Sequence, residues 1–236
     1  MKRYKINYNL PNLSNCKNEI NFESIDSNID QIHDEKQDSN CNCKLLYKTD
    51  KYFVFIDNNG YYHLKTQQSH MTSFHKDTYN NKFSYCKMFI EEIDKIKNRE
   101  RILFLGFGLG GLPLKLSTYS NVKLIDCVEI DCSLYELFKK VIPTPSNKIN
   151  YFCQDAIKFL ECNGEPYDII MDDLFMENKK IQYNYKLIYN KLKYGGYLYI
   201  NVHWKKELDK IILELKNYFT NVTYRKDNEY LIIAQK

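Results

Sequence analysis

The chain has 236 residues, 44% of them hydrophobic and 15% aromatic, and a net charge of +4, which is apolar material enough for one large folded domain with a small appendage. Acids and bases are interleaved rather than gathered in a basic block, so nucleic-acid binding is not indicated, and no apolar run approaches the length of a membrane span. MKRYKINYNL at the start lacks the apolar centre of a signal peptide, and eight cysteines are scattered through strand-like and helix-like segments; both point to a cytoplasmic protein with free thiols.

Residues 1–43 are rich in Asn, Asp, Ser and Lys and read as a flexible extension. CNC at 41–43 fits no recognised zinc spacing, so no metal is expected. Over 44–66, β-rich runs flank DNNG, a turn signal that predicts a hairpin, and the region 44–84 forms a small N-terminal unit. The following TQQSHMTSFHKDTYNNKF is polar and without periodicity and reads as loop, His70 and His75 included. A helix is predicted over 84–97, with Met88, Phe89, Ile93 and Ile96 on one side.

From residue 85 onward a regular alternation begins. RILFL (101–105), VKLIDCVE (122–129), INYFC (149–153), YDIIMD (167–172) and GYLYINV (196–202) are short, apolar and strand-like. Amphipathic helices lie between them: Leu134, Leu137, Phe138 and Val141 follow Asp131 as N-cap, and Leu208, Ile211, Ile212 and Leu215 repeat the spacing. This predicts an α/β fold, a doubly wound Rossmann-like sheet. NVTYRKDNEYLIIAQK adds a C-terminal antiparallel hairpin.

Four of the eight glycines fall in GFGLGG at the first strand-to-helix turn. Gly106 permits the tight turn, Gly108 lets backbone approach a ligand, and Gly110 or Gly111 allows close helix packing. The second strand ends in CVEID, about 20 residues on, where Glu129, beside Ile130, can accept from both ribose hydroxyls. The third ends in FCQDA, where Asp155, beside Ala156, can meet an adenine amino group. These features predict a nucleoside pocket. Asp172 and Asp173 end the fourth strand at the same crevice, and alternation aims one of them into it; such an acid can bind a cation or act as general base toward an amine.

Glycine loop, VEID, QDA, YDIIMDD and LKYGGYLYINV stand in the order and spacing of class I S-adenosylmethionine-dependent methyltransferases. FSYCKMF and VEIDCSLYELFKKVIP resemble, more narrowly, the spermidine synthase branch of that superfamily. The resemblance covers about 45–236 and implies S-adenosylmethionine or its decarboxylated form as cofactor, with Gly106, Gly108, Leu109, Gly110, Glu129, Ile130, Asp155, Ala156 and Asp172 around it. It also implies a homodimer formed through the N-terminal hairpin.

Departures from the branch concern its polyamine chemistry. Leu109 stands where the family's loop G-G-G-D-G-G has an acid; Leu174, Phe175 and Met176 follow Asp173 where the family reads D-S-S-D; and Lys87 replaces the Glu of Y-x-E-M. The long loop over the polyamine is replaced by the short RKDN turn. GFGLGGLPL resembles instead the G-x-G-G-G-x-L-P loop of spermidine synthase-like methyltransferases that modify protein amino groups. The expectation is therefore an S-adenosylmethionine-dependent methyltransferase acting on an amine or protein acceptor, with Asp173 and Tyr85 catalytic. Its alternatives are aminopropyl transfer from decarboxylated S-adenosylmethionine, or a non-catalytic scaffold.

Overall fold

The structure, a computed structural model, describes residues 30–31, 43–142, 145–162, 164–176 and 179–236. The extension expected over 1–43, and CNC with it, lies outside the described residues except for 30–31 and 43.

Five antiparallel strands form the N-terminal sheet in chain order: β1 (Asp30–Gln31), β2 (Cys43–Lys48), β3 (Phe53–Asp57), β4 (Tyr61–Lys65) and β5 (His70–His75). DNNG makes the β3–β4 turn as expected. Asp57 Oδ1 accepts from Asn59 N–H and Tyr61 N–H, both at 2.9 Å, so the acid folds its own turn. β5 corrects the loop expected over 66–83. HMTSFH is polar because half of it faces a cavity, while Ser73 and Phe74 are buried.

Helix α1 (Ser84–Ile93) leads into the main sheet, alternating as β6 (Arg101–Leu105), α2 (Gly111–Ser117), β7 (Leu124–Glu129), α3 (Cys132–Val141), β8 (Ile149–Cys153), α4 (Ala156–Glu161) and β9 (Tyr167–Asp172). A short pair, β10 (Phe175–Met176) and β11 (Lys179–Lys180), precedes α5 (Lys186–Lys191), β12 (Leu192–Val202), α6 (Lys205–Leu215), β13 (Asn221–Lys226) and β14 (Tyr230–Gln235). Seven of these strands lie in the order β13-β14-β12-β9-β6-β7-β8. The five from β12 to β8 are parallel, and β14 joins β12 antiparallel.

Both faces of this sheet are covered, which is why its strands read as unbroken apolar runs. Ile102 and Phe104 pack with α1, α2 and α3 on one side, while Leu103 and Leu105 pack with α4, α5 and α6 on the other. Asp131 caps α3 by accepting from Ser133 N–H at 3.1 Å. Among the described residues no helix is long and apolar enough to cross a membrane.

Candidate active site

Parallel strands present their carboxyl ends on one edge, and a crevice opens where successive strands depart in opposite directions. Here β7 lies on one side of β6 and β9 on the other, and a cavity of about 1020 Å³ opens at that place. The N-terminal sheet closes it. Lys51 Nζ and Tyr52 Oη donate to Asp131 Oδ2 at 2.6 and 2.8 Å, and Thr72 Oγ1 accepts from Leu109 N–H at 3.4 Å.

Gly106 and Gly108 line the cavity with φ of +87° and +54°. A Cβ on Gly106 would stand 2.6 Å from the Asp173 carbonyl oxygen, and one on Gly108 2.5 Å from Thr72 Oγ1. The backbone oxygen beside Gly106 leaves no room for a side chain, whereas the Thr72 hydroxyl beside Gly108 would have to rotate away. Leu109 and Gly110, expected at the cofactor, are corrected. Leu109 is fully buried in the core with Leu112 and Phe138, and Gly110 is the N-cap of α2, with the Phe107 ring where a Cβ would go. A loop residue's direction depends on backbone turns that its neighbours' identities do not reveal.

Glu129, Ile130, Asp155 and Ala156 all line the cavity. Glu129 Oε2 accepts from Phe107 N–H at 3.1 Å and Oε1 from Asp131 N–H at 3.0 Å, so the two loops fix its carboxylate. Burial nonetheless raises its pKa above the usual glutamate value. Asp155 is the N-cap of α4, accepting from Ile157 and Lys158 N–H groups. Both bonds fall on Oδ1, so Oδ2 is the atom that can meet a ligand.

Asp172 and Asp173 part company as strand alternation requires. Asp172 is corrected from cofactor ligand to structural acid. It is fully buried on the α5 side, bound to Lys180 Nζ at 2.7 Å and Tyr183 Oη at 2.9 Å. Both charges of the Asp172–Lys180 pair are wholly removed from water. Lys180→Met should therefore cost about 3–5 kcal/mol of stability by stranding a buried carboxylate. Urea unfolding measures it, and a loss under about 1 kcal/mol would show that the pair contributes nothing.

Asp173 faces the cavity. Tyr85 Oη donates to its Oδ2 at 2.8 Å and Asn201 Nδ2 to its Oδ1 at 2.9 Å. Burial and the Asp173 charge hold the Tyr85 phenol far above its usual pKa, so it stays a neutral donor. Lys87, one residue on from Cys86 in α1, is exposed and borders a different pocket.

Three polar residues of this region escaped sequence reasoning: Asn201, His203 and Glu229. Asn201 sits near the end of β12. Because β14 runs antiparallel to β12 and pairs Tyr230 with Val202, residue 229 is returned to the carboxyl edge of the sheet. A hairpin of known register is the signal that could have found it.

The expectation of free thiols fails, because Cys132, Cys153 and Cys162 are disulfide-bonded. Glu129 and Cys153 are register partners on β7 and β8, which brings the start of α3 beside the end of β8. Cys132 and Cys153 are joined there by a disulfide with Cα atoms 5.3 Å apart. Cys86 and Cys127 are buried thiols.

The sequence profile of the spermine/spermidine synthase domain matches residues 83–225, more than half of the chain. The chain belongs to the spermine/spermidine synthase family. It is 35% identical over 81 residues to the polyamine aminopropyltransferase of Clostridium beijerinckii, a stretch that is 32% of this chain and 28% of that protein. The alignment thus spans well under half of that curated relative. Among solved structures, a probable spermidine synthase from Corynebacterium glutamicum superposes with a TM-score of 0.64 at 17% identity, covering 80% of this chain and 78% of that one. Human methyltransferase-like protein 13, in complex with SAH, superposes at 0.58 and 19% identity over 65% of this chain and 82% of its own. The fold is common to both chemistries and does not choose between them.

The expectation of methyl transfer is corrected in favour of its aminopropyl alternative, because the family model is that of spermine/spermidine synthases and the curated relatives carry the aminopropyltransferase name. The physical ground of the error is now visible. Leu109 lies in the core and Lys87 outside the cavity, so neither replacement puts an apolar group or a cation on the cavity wall.

Proposed function

We propose that this protein transfers an aminopropyl group from decarboxylated S-adenosylmethionine to an amine acceptor. The observation that carries the reading is the charge of the cavity. Asp50, Glu129, Asp131, Asp155, Asp173 and Glu229 line it, and Lys51, already paired with Asp131, is the one Lys or Arg among the described lining residues. Amines lose their water only where carboxylates replace it. The acidic lining also disfavours a donor that keeps its methionine carboxylate, hence the decarboxylated form.

The site residues suit such a donor. Glycine backbone at 106 and 108 admits close approach, Glu129 suits a ribose diol, and Asp155 suits the base. The bound donor supplies a primary carbon activated by a sulfonium. The protein's part is to bring an uncharged amine in line with that carbon. Asp173, its two oxygens fixed by Tyr85 and Asn201, is the acid placed to bind and orient that amine.

Thermal shift and product mass test the reading. Decarboxylated S-adenosylmethionine should raise the melting temperature by about 5 °C at a hundredfold excess over Kd, and S-adenosylmethionine by less. With 1,4-diaminobutane added, a product heavier by one aminopropyl unit should appear. Equal shifts from both forms, or a methylated product, would overturn it.

A further inference from the structure

The acceptor end of the cavity holds a second carboxylate, contributed by the C-terminal hairpin rather than by the parallel strands. Glu229 lines the cavity just before β14, with its side chain 22% exposed. Its Oε1 lies 3.5 Å from His203 Nε2. Its buried Oε2 has no hydrogen-bond partner among the described residues. Asn201, only 2% exposed and also lining the cavity, gives its amide N–H to Asp173 while its buried Oδ1 is likewise without a partner there. Two buried acceptor atoms without a donor, both on residues that line one cavity, are costly unless a small shift brings a ligand's donor to meet them. An ammonium carries three such donors.

We propose that Glu229, Asp173 and Asn201 together form the seat of the acceptor's attacking amine, and that Glu229 takes the proton this nitrogen must lose. The proposal rests on the aminopropyl reading and adds to it the residue that binds and deprotonates the acceptor. The acceptor is a primary alkylamine. Its cationic end meets the two carboxylates and the Asn201 oxygen, and its hydrocarbon meets a wall made by Phe175, whose ring stacks on His203 at 4.2 Å, with Leu174 and Ile181.

The protons and electrons balance as follows. The ammonium nitrogen gives one proton to the Glu229 carboxylate and becomes nucleophilic. It then forms the new N–C bond as the C–S bond breaks, the bonding pair passing to sulfur, which leaves as a neutral thioether. The product nitrogen retains the positive charge that the sulfonium surrendered.

Groups on every neighbouring element bear on Glu229: Asp173 after β9, His203 after β12, Tyr85 and Cys86 at the start of α1, and Asp227 in its own hairpin. Burial, then the Asp173 charge, lifts its carboxyl to about 7, against a smaller opposing pull from the Tyr85 backbone N–H. Burial lowers the His203 pKa, so the imidazole is neutral at pH 7 and its contact with Glu229 is polar rather than ionic.

The test is Glu229→Gln on the full chain, with Glu229→Asp beside it, assayed with decarboxylated S-adenosylmethionine and 1,3-diaminopropane, 1,4-diaminobutane or spermidine as acceptor. Glu229→Gln should raise the acceptor KM at least about tenfold, lower kcat about a hundredfold and abolish the acid limb of kcat/KM near pH 7, while the thermal shift given by the donor stays at the wild-type value. Glu229→Asp should recover part of the loss. A wild-type KM and an unchanged pH profile in Glu229→Gln would overturn the proposal and leave the aminopropyl reading standing. A wild-type enzyme that transfers aminopropyl to none of these amines would overturn that reading and this proposal together.

Discussion

Asp173→Asn should lower kcat about a thousandfold, within the span measured for loss of a positioned acid or base, and leave donor binding unchanged. The substitution keeps shape and removes charge. Of the two groups that now donate to the carboxylate oxygens, Asn201 Nδ2 could keep donating to the amide oxygen, while the Tyr85 hydroxyl would turn to accept from the new amide N–H. The fold should therefore tolerate it, and melting curves with and without methylthioadenosine should match those of the wild type. Glu129 and Asp155 lie at the ends of other strands and do not touch Asp173. The expected pattern is thus a loss confined to turnover. A decrease smaller than about tenfold would remove Asp173 from the reaction. Comparison with Glu229→Gln separates the two acids: Glu229→Gln alone should abolish the acid limb of the pH profile, because it removes the proton acceptor, whereas Asp173→Asn should keep it.

Strands buried on both faces were legible because an apolar run has few other uses. RILFL and YDIIMD are β6 and β9 residue for residue, and the less buried edge strand INYFC is β8. β5 was not legible, because a strand that covers a polar cavity spends its exposed positions on His and Thr and loses the apolar signature. The same contrast runs through the site. Glu129, Asp155 and Asp173 could be placed at the cavity because each follows a strand whose carboxyl end must lie there. Asp172 differs from Asp173 only in strand phase, which becomes decidable once the two faces are known. Leu109 looked like a substituted cofactor ligand, but the glycine turns on either side carry its side chain into the core. Glu229 is in a short polar turn with no pattern of its own. Its position follows from the pairing of β14 with β12, a contact between segments almost thirty residues apart.

Gly106→Ala should be the most damaging single-atom change in the glycine loop, costing roughly 3 kcal/mol of stability and most of the turnover. Two terms add. At φ +87° an alanine is strained by about 1 kcal/mol or more before any contact is counted. Its Cβ would also stand 2.6 Å from the Asp173 carbonyl oxygen, and 3.1 Å from the carbonyl carbon. Neither side can give way easily: Gly106 N–H donates to Val128 O at 2.9 Å, and Asp173 N–H to Leu105 O at 2.8 Å, so both backbones are tied into the sheet. Relief must come by moving the end of β9, and with it the Asp173 side chain. Gly108→Ala gives the internal control. Its Cβ would meet Thr72 Oγ1 at 2.5 Å, an atom at the end of a side chain that can rotate, and the only bond given up is the long 3.4 Å contact with Leu109 N–H. That variant should lose only about 1 kcal/mol. Urea denaturation of both, with kcat measured on the folded fraction, decides the matter. If Gly108→Ala proves the worse in stability and turnover, the close approach between the glycine loop and the end of β9 is not what ties the donor site to Asp173.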